Sequence, residues 1–350
     1  MVIRSYPSLS VRISPTAGDD LPIGSLAPGQ HDQVIKPTDD IDFARDEERV
    51  GKSRRTLSRA ASKGEARRIA RGAYLPEGVW RDATASERYL ARVAAVSLTR
   101  RSPAVVSHWS AAALHGLPRI GAWPTNVHFT VPVSASSGTK NGIVRHALPL
   151  ADDDVEEIAG IPVTSLTRTL LDIAATSTFR DAVVAADAAL LVDRYGRRPP
   201  MVTREQLEAA WERAQPMRAH AKTKAVLQFA DTRAETPIES VSRVSMRFIG
   251  VPRPVLQLAH YDSQGFIGET DFAWPDFGAV GEADGDQKYL DKAFRSGRTP
   301  EQVLLDEKRR EDRLRSLPRR MVRWPWAVAV SPRLLRIRLE AIGLPTGYHW

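Results

Sequence analysis

The chain has 350 residues, 26% of them charged, with a formal net charge of +8 and no cysteine. That length predicts more than one domain, and the lack of cysteine excludes disulfides and thiolate metal sites, leaving histidine and carboxylate as candidate ligands. No apolar run of about 18 residues occurs, and the opening stretch MVIRSYPSLSVRISPTAGDD lacks the apolar core of a secretory signal. The expected location is therefore the cytoplasm, with no membrane partner.

Charge is distributed unevenly. Residues 1–48 sum to −5, residues 49–150 to +13, and residues 151–350 balance. No acid interrupts Arg88 to Leu150. A field so concentrated attracts polyphosphate, and DNA is the expected partner.

Residues 1–40 are rich in Ser, Pro, Gly and Asp without a sustained period, which predicts a flexible acidic arm. Within residues 41–82, Ser53 can cap a short helix that turns Leu57 inward and Arg54, Arg55 and Arg59 outward, with Gly64 ending it. ARRIARGAYL then reads as a tight hairpin about Arg71-Gly72. Helix followed by basic hairpin is a winged helix-turn-helix pattern, in which the helix enters the major groove and Arg67, Arg68 and Arg71 of the wing approach the DNA backbone or minor groove.

Residues 83–230 carry a capping box at Thr84 and Glu87, a short helix SAAALHG, and strands at NVHFTV and GIVRHAL separated by the loop SASSGTKNG. A strand pair EIAGIPVTS follows, then a helix capped from Thr164 or Ser165, and long helices over about 178–192 and 203–230. His108, His115, His128 and His146 show no ligand spacing and are expected to be structural or surface residues. RRTLSRAASKGEARRIARGAYLP, VVSHWSAAALHGLP and GIPVTSLTRTLLDIA resemble, in this order and over residues 45–195, the AbiEi-type antitoxins of type IV toxin-antitoxin systems. That resemblance implies a winged helix that binds operator DNA and a following region able to antagonise a nucleotidyltransferase-like toxin.

From Thr236 the pattern changes. TPIESVSRVSMRFIG predicts a helix capped by Thr236, with Pro237 in its first turn and Glu239 at the capping-box position. PVLQLAHYDSQGFIGETDFAWPDFGAVGEADG predicts a three-strand meander turning at 262–265 and 275–278. A helix from Thr299, a strand RRMVRWPWAVAV and a last helix after Ser331 and Pro332 complete an α+β or α/β domain. If the second turn centres between Asp276 and Phe277, Asp271 and Glu282 are equidistant from it and become cross-strand neighbours, with Asp284 on the same face by the two-residue period. Like charges there call for a cation, and hard carboxylate oxygens suit Mg²⁺. Lys288 could then stabilise a developing phosphoryl charge.

An Asp followed by Glu-x-(Lys or a substitute) on adjacent strands is the PD-(D/E)xK nuclease arrangement. ESVSR, LQ, TDFAWP, GEADGDQKY, EKRREDRLRSL and the strand with Trp324 and Trp326 resemble the very-short-patch-repair-endonuclease-like domains over residues 235–330. The resemblance implies a restriction-endonuclease-like domain over 231–350. In it Asp271 and Glu282 hold metal, Asp284 stands where the motif lysine would be, and Lys288 takes over its role. Glu239 reads either as a helix cap or as the glutamate the resemblance places there, and Gln257 either as a strand partner or as support for the site. The fold class expected is α+β and multidomain. The function expected is DNA binding with Mg²⁺-dependent endonuclease activity, or alternatively a non-catalytic operator-binding antitoxin.

Overall fold

A computed structural model of the chain describes residues 40–49, 53, 55–100, 104–194, 196, 198–284, 308–310 and 312–350. The acidic arm before Asp40, Arg54, Lys288 and the helix start at Thr299 lie outside the described residues. The fold is α+β, and among the described residues helices pack on three sheets. Among the described residues, no helix is long and apolar enough to cross a membrane.

The first sheet belongs to a small N-terminal unit: β1 (Asp42–Phe43), α1 (Ala44–Arg49), α2 (Arg55–Ser62), β2 (Ala66–Ala70) and β3 (Ala73–Pro76), with strand order β1-β3-β2. Ser53 Oγ accepts the Arg55 amide hydrogen at 3.2 Å, and Gly64, at φ +77°, ends the helical turn that follows α2. Gly72 takes φ +74° in the two-residue turn, which leaves β2 and β3 antiparallel as their alternation predicts.

The second unit follows α3 (Glu77–Asp82). It comprises α4 (Ala85–Leu98), β4 (Val105–Val106), α5 (His108–Leu114), β5 (Val127–Val131), β6 (Gly138–Lys140), β7 (Ile143–Ala147), β8 (Val155–Ile158) and β9 (Ile161–Thr164). Its six-stranded sheet has the order β6-β7-β5-β4-β9-β8. Thr84 and Glu87 make the expected capping box on α4. Part of the expected loop SASSGTKNG is instead β6, which lets β5 and β7 pair in parallel.

Helices α6 (Leu166–Thr176), α7 (Phe179–Leu190), α8 (Arg204–Arg213) and α9 (His220–Phe229) pack around Leu171, Ile173, Val183 and Leu207. The single helix expected over 203–230 is thus two. Pro216 lies at the break, where its missing N–H and its ring oppose a continuous helix.

The third sheet has the order β10-β11-β12-β13, from β10 (Val255–Asp262), β11 (Gly265–Trp274), β12 (Ala279–Asp284) and β13 (Arg320–Pro325). β10 to β12 form the expected antiparallel meander, and β13 joins β12 in parallel. The strand expected to run through Val330 stops at Pro325, and Trp326–Ala329 is helical. Phe272, Trp274 and Trp324 pack with Val241 and Met246 of α10 (Pro237–Ile249) and with Leu335 and Leu339 of helix Pro332–Ala341. Gly281 is required here: a Cβ would sit 2.6 Å from Trp324 Cη2 and 3.3 Å from Trp274 Cζ3. Val184 of α7 belongs to this same core, so the helical layer and the last sheet share α7. Their junction also holds a buried ion pair, Arg243 Nη1 of α10 to Asp187 Oδ2 of α7 at 2.8 Å. Phe229 O accepts from Arg243 Nη2 at 2.6 Å, and Asp187 Oδ1 accepts the Asp231 amide hydrogen at 2.8 Å, so both charges are met on several sides.

Candidate functional site

The β11/β12 ladder pairs Phe272 with Gly281, Ala273 with Val280 and Trp274 with Ala279. One step further along this register Asp271 stands opposite Glu282, the arrangement that the turn predicts. The regular pairing ends before that step, and Asp271 Oδ2 accepts the Ala283 amide hydrogen at 2.8 Å. A carboxylate thereby receives an amide of the neighbouring strand. Both acids are 8% exposed.

On the other side, β10 pairs Leu256 with Phe272 and Leu258 with Thr270, which sets Gln257 beside Asp271. Gln257 sits at φ +51°, a left-handed conformation that costs an L-residue about 1–2 kcal/mol. Its Nε2 donates to Glu239 Oε2 at 3.0 Å. Glu239, 1% exposed, also accepts from the Glu235 amide at 3.0 Å and from Thr236 Oγ1 at 2.7 Å. Glu239 thus sits at the helix start, accepting from residues 235 and 236, and it touches Gln257.

The parallel β12/β13 register puts Arg323 beside Glu282. Glu282 Oε2 lies 2.6 Å from Arg323 Nη2, and Oε1 accepts from Arg310 Nη2 at 3.0 Å. Burial raises the Glu282 carboxyl above the usual range, the two guanidiniums oppose that rise, and the Asp271 charge adds to it. A row of Glu239, Gln257, Asp271, Glu282 and Arg323 thus crosses one helix and four strands. Asp284 closes β12, half-buried, beside Pro325. The sequence does not single out Arg323, because parallel pairing has no tight turn from which a register could be counted, nor Arg310, which reaches Glu282 from the helical residues 308–310 by tertiary packing.

The donor set at Asp271 and Glu282 is two carboxylates, the hard oxygen chemistry of Mg²⁺, which commonly takes one or two protein carboxylates with water and phosphate. Among the described residues, no group of three or more His, Asp or Glu is arranged to hold a metal. The pair fits the ion in chemistry and number, with Arg310 and Arg323 as competitors for Glu282.

In the N-terminal unit Leu57 of α2 is buried while Arg55 and Arg59 are exposed, as are Arg67, Arg68 and Arg71 of the hairpin. Arg67 is committed within the fold, forked on Glu77 through Nε–Oε2 at 3.2 Å and Nη2–Oε1 at 2.9 Å. Arg68 Nε donates to Ala70 O at 3.3 Å.

The histidines expected to be scattered are in part gathered. His108 stacks on His146 with ring centroids 3.7 Å apart, and His128 Nδ1 is 3.0 Å from His146 Nε2. His108, at φ +54°, lies with Nδ1 3.0 Å from Ser107 Oγ and 3.8 Å from Asp172 Oδ2. Burial lowers all three imidazoles, His128 to about 4, and lifts Asp172 to about 6. These rings come from a helix and two parallel strands, and no sequence spacing reports such a meeting. His115 stands apart, its Nε2 2.8 Å from Thr164 O.

No family model matches the chain. It is 28% identical over 193 residues to an uncharacterized protein of Mycobacterium tuberculosis strain CDC 1551 / Oshkosh, a span covering 55% of this chain and 67% of the relative. The same values hold for an uncharacterized protein of Mycobacterium tuberculosis strain ATCC 25618 / H37Rv.

Proposed function

We propose that the chain is a DNA-binding protein whose last sheet forms a PD-(D/E)xK-type, Mg²⁺-dependent phosphodiester hydrolase site, with a winged helix-turn-helix over 41–82 as its DNA-binding unit. The observation that carries this reading is the convergence of Asp271 and Glu282 where the β11/β12 ladder gives way to a carboxylate–amide bond, with Gln257 and Glu239 beside them. Bound there, Mg²⁺ would polarise a phosphoryl oxygen and lower the pKa of a water. Asp271 and Glu282 would hold the ion, and Gln257 would fix Glu239 at the edge of the site. Exposed Arg55, Arg59 and Arg71, in a segment of charge +13, supply the attraction for the duplex.

A second reading has its own observation. Both oxygens of Glu282 are engaged by guanidiniums, which favours a non-catalytic regulator of the AbiEi antitoxin type. In that reading the nuclease-like sheet only binds nucleic acid, and the partner is a nucleotidyltransferase-like toxin. Incubation of the protein with plasmid, single-stranded and mismatched DNA, with and without Mg²⁺ or Mn²⁺, separates the two. Metal-dependent nicking abolished in both Asp271→Asn and Glu282→Gln, with DNA binding retained, is the hydrolase outcome. Absence of cleavage on every substrate rejects it in favour of the regulator.

A further inference from the structure

We propose that Arg323 and Arg310 form the seat for the phosphate at this site, held on Glu282 until a divalent cation takes that carboxylate. The inference rests on the metal-binding reading above. β12 holds no basic residue along Ala279–Asp284, so it presents no positive charge to a phosphate there. The next strand does. β13 runs parallel to β12 with Arg323 in register with Glu282, and its guanidinium reaches the carboxylate at 2.6 Å.

Arg310 arrives from the helical residues 308–310 and is held in a groove cut for it. Its Nη1 donates to Glu269 O at 3.2 Å, and its side chain crosses Gly268, where a Cβ would lie 3.1 Å from Arg310 Cδ. Gly268 stands at φ +155°, so its missing side chain serves both the backbone and the guanidinium. The two arginine side chains are only 22% and 26% exposed, and their guanidiniums converge on one carboxylate from two separate elements. Planar forks of this kind match phosphate oxygens as well as carboxylate oxygens.

Charge makes the seat conditional. Without metal, two guanidiniums offset the carboxylates of Asp271 and Glu282 while Glu239 and Asp284 add negative charge nearby, so the cluster offers a phosphodiester no net attraction. A divalent cation on those carboxylates shifts the cluster by two positive charges and draws Glu282 away from its arginines, whose donors then face the incoming anion. Metal and DNA therefore bind with positive coupling, each strengthening the other by the same factor.

The test uses the full chain, a short duplex as probe, and Ca²⁺ or Mg²⁺ at constant ionic strength. DNA affinity is measured with metal and with chelator, and metal binding alone is followed by the shift in melting temperature. In the wild type, metal should tighten DNA binding by about tenfold or more, the range expected for charge-assisted hydrogen bonds. In Arg323→Gln and in Arg310→Gln that gain should shrink toward none, while metal alone binds at least as well because one competitor for Glu282 has gone. Arg323→Lys should restore part of the gain. A purely structural salt bridge moves both measurements in one direction, so loss of metal binding together with DNA coupling overturns the proposal. So does an absent gain in the wild type, or a full gain retained in both Gln variants. Plasmid cleavage is scored in parallel with Mg²⁺ and with Mn²⁺: coupling without cleavage rejects the hydrolase and keeps the seat, and cleavage without arginine-dependent coupling does the reverse.

Discussion

Buried imidazoles make stability depend on pH within a definite window. His128 is pushed down to about 4, chiefly by burial, and His108 and His146 are also lowered, whereas an imidazole in the unfolded chain titrates near 6.5. Between those values the unfolded state binds more protons, so these groups contribute stability that is complete above about pH 6.5 and is lost as pH falls toward 4. Asp172, lifted to about 6, acts in the opposite sense over part of this range, so the cleanest measure is a difference. Urea unfolding of His128→Gln at several pH values should give a shallower decline than wild type between pH 6.5 and 4, and equal slopes would remove His128 from this role. A second residue-scale outcome concerns Arg67, which Glu77 holds in a fork. Glu77→Gln should free that guanidinium and tighten duplex binding by a few-fold at low salt, with less effect at high salt as screening grows. Unchanged affinity would leave Arg67 as a structural side chain. Asp271 and Glu282 were legible because a tight antiparallel turn fixes a register that can be counted from its centre. Arg323 and the three clustered histidines were not, since their neighbours are chosen by parallel pairing and by tertiary packing.

Among the described elements, β12 is closely confined at one point. Gly281 lies under Trp324 and Trp274, and Gly281→Ala should cost about 1–3 kcal/mol, the usual range for overpacking a closed core. Equilibrium denaturation measures that cost, and a substitution without effect would mean that the indoles shift freely. Because Glu282 is the next residue, the same variant should also weaken any metal-dependent gain in stability. For α2 and the hairpin, replacing Arg55, Arg59 and Arg71 together with Ala should reduce the slope of log affinity against log salt by up to about 3, near 0.9 for each phosphate no longer neutralised. An unaltered slope would place the DNA elsewhere. Caps and turns were the most legible features at this scale: Ser53, Thr84 and Thr236, and Ser165 as one of two candidates, each start a helix at a side chain able to accept a backbone hydrogen bond. Pairing partners were less so, and β6, three exposed residues within an apparent polar loop, carried no apolar alternation to announce it.

At the scale of the molecule, the helical layer and the last sheet meet through α7 and α10 and the ion pair between them. Arg243→Met should destabilise the chain by about 3–5 kcal/mol, because Asp187 is left charged and buried without its main partner. Asp187→Leu combined with Arg243→Met should recover most of that, and failure to recover would show that Phe229 O and the Asp231 amide depend on the pair more than its charges do. The domain boundary expected at residue 231 falls between two helices that share this buried ion pair. That has a bearing on inheritance. A gene fusion or recombination that exchanged the segment after residue 231 for an unrelated one would strand Asp187 inside a hydrophobic junction, so the two halves are expected to descend together, and chimaeras between distant relatives should succeed only when α7 and α10 travel as a matched pair.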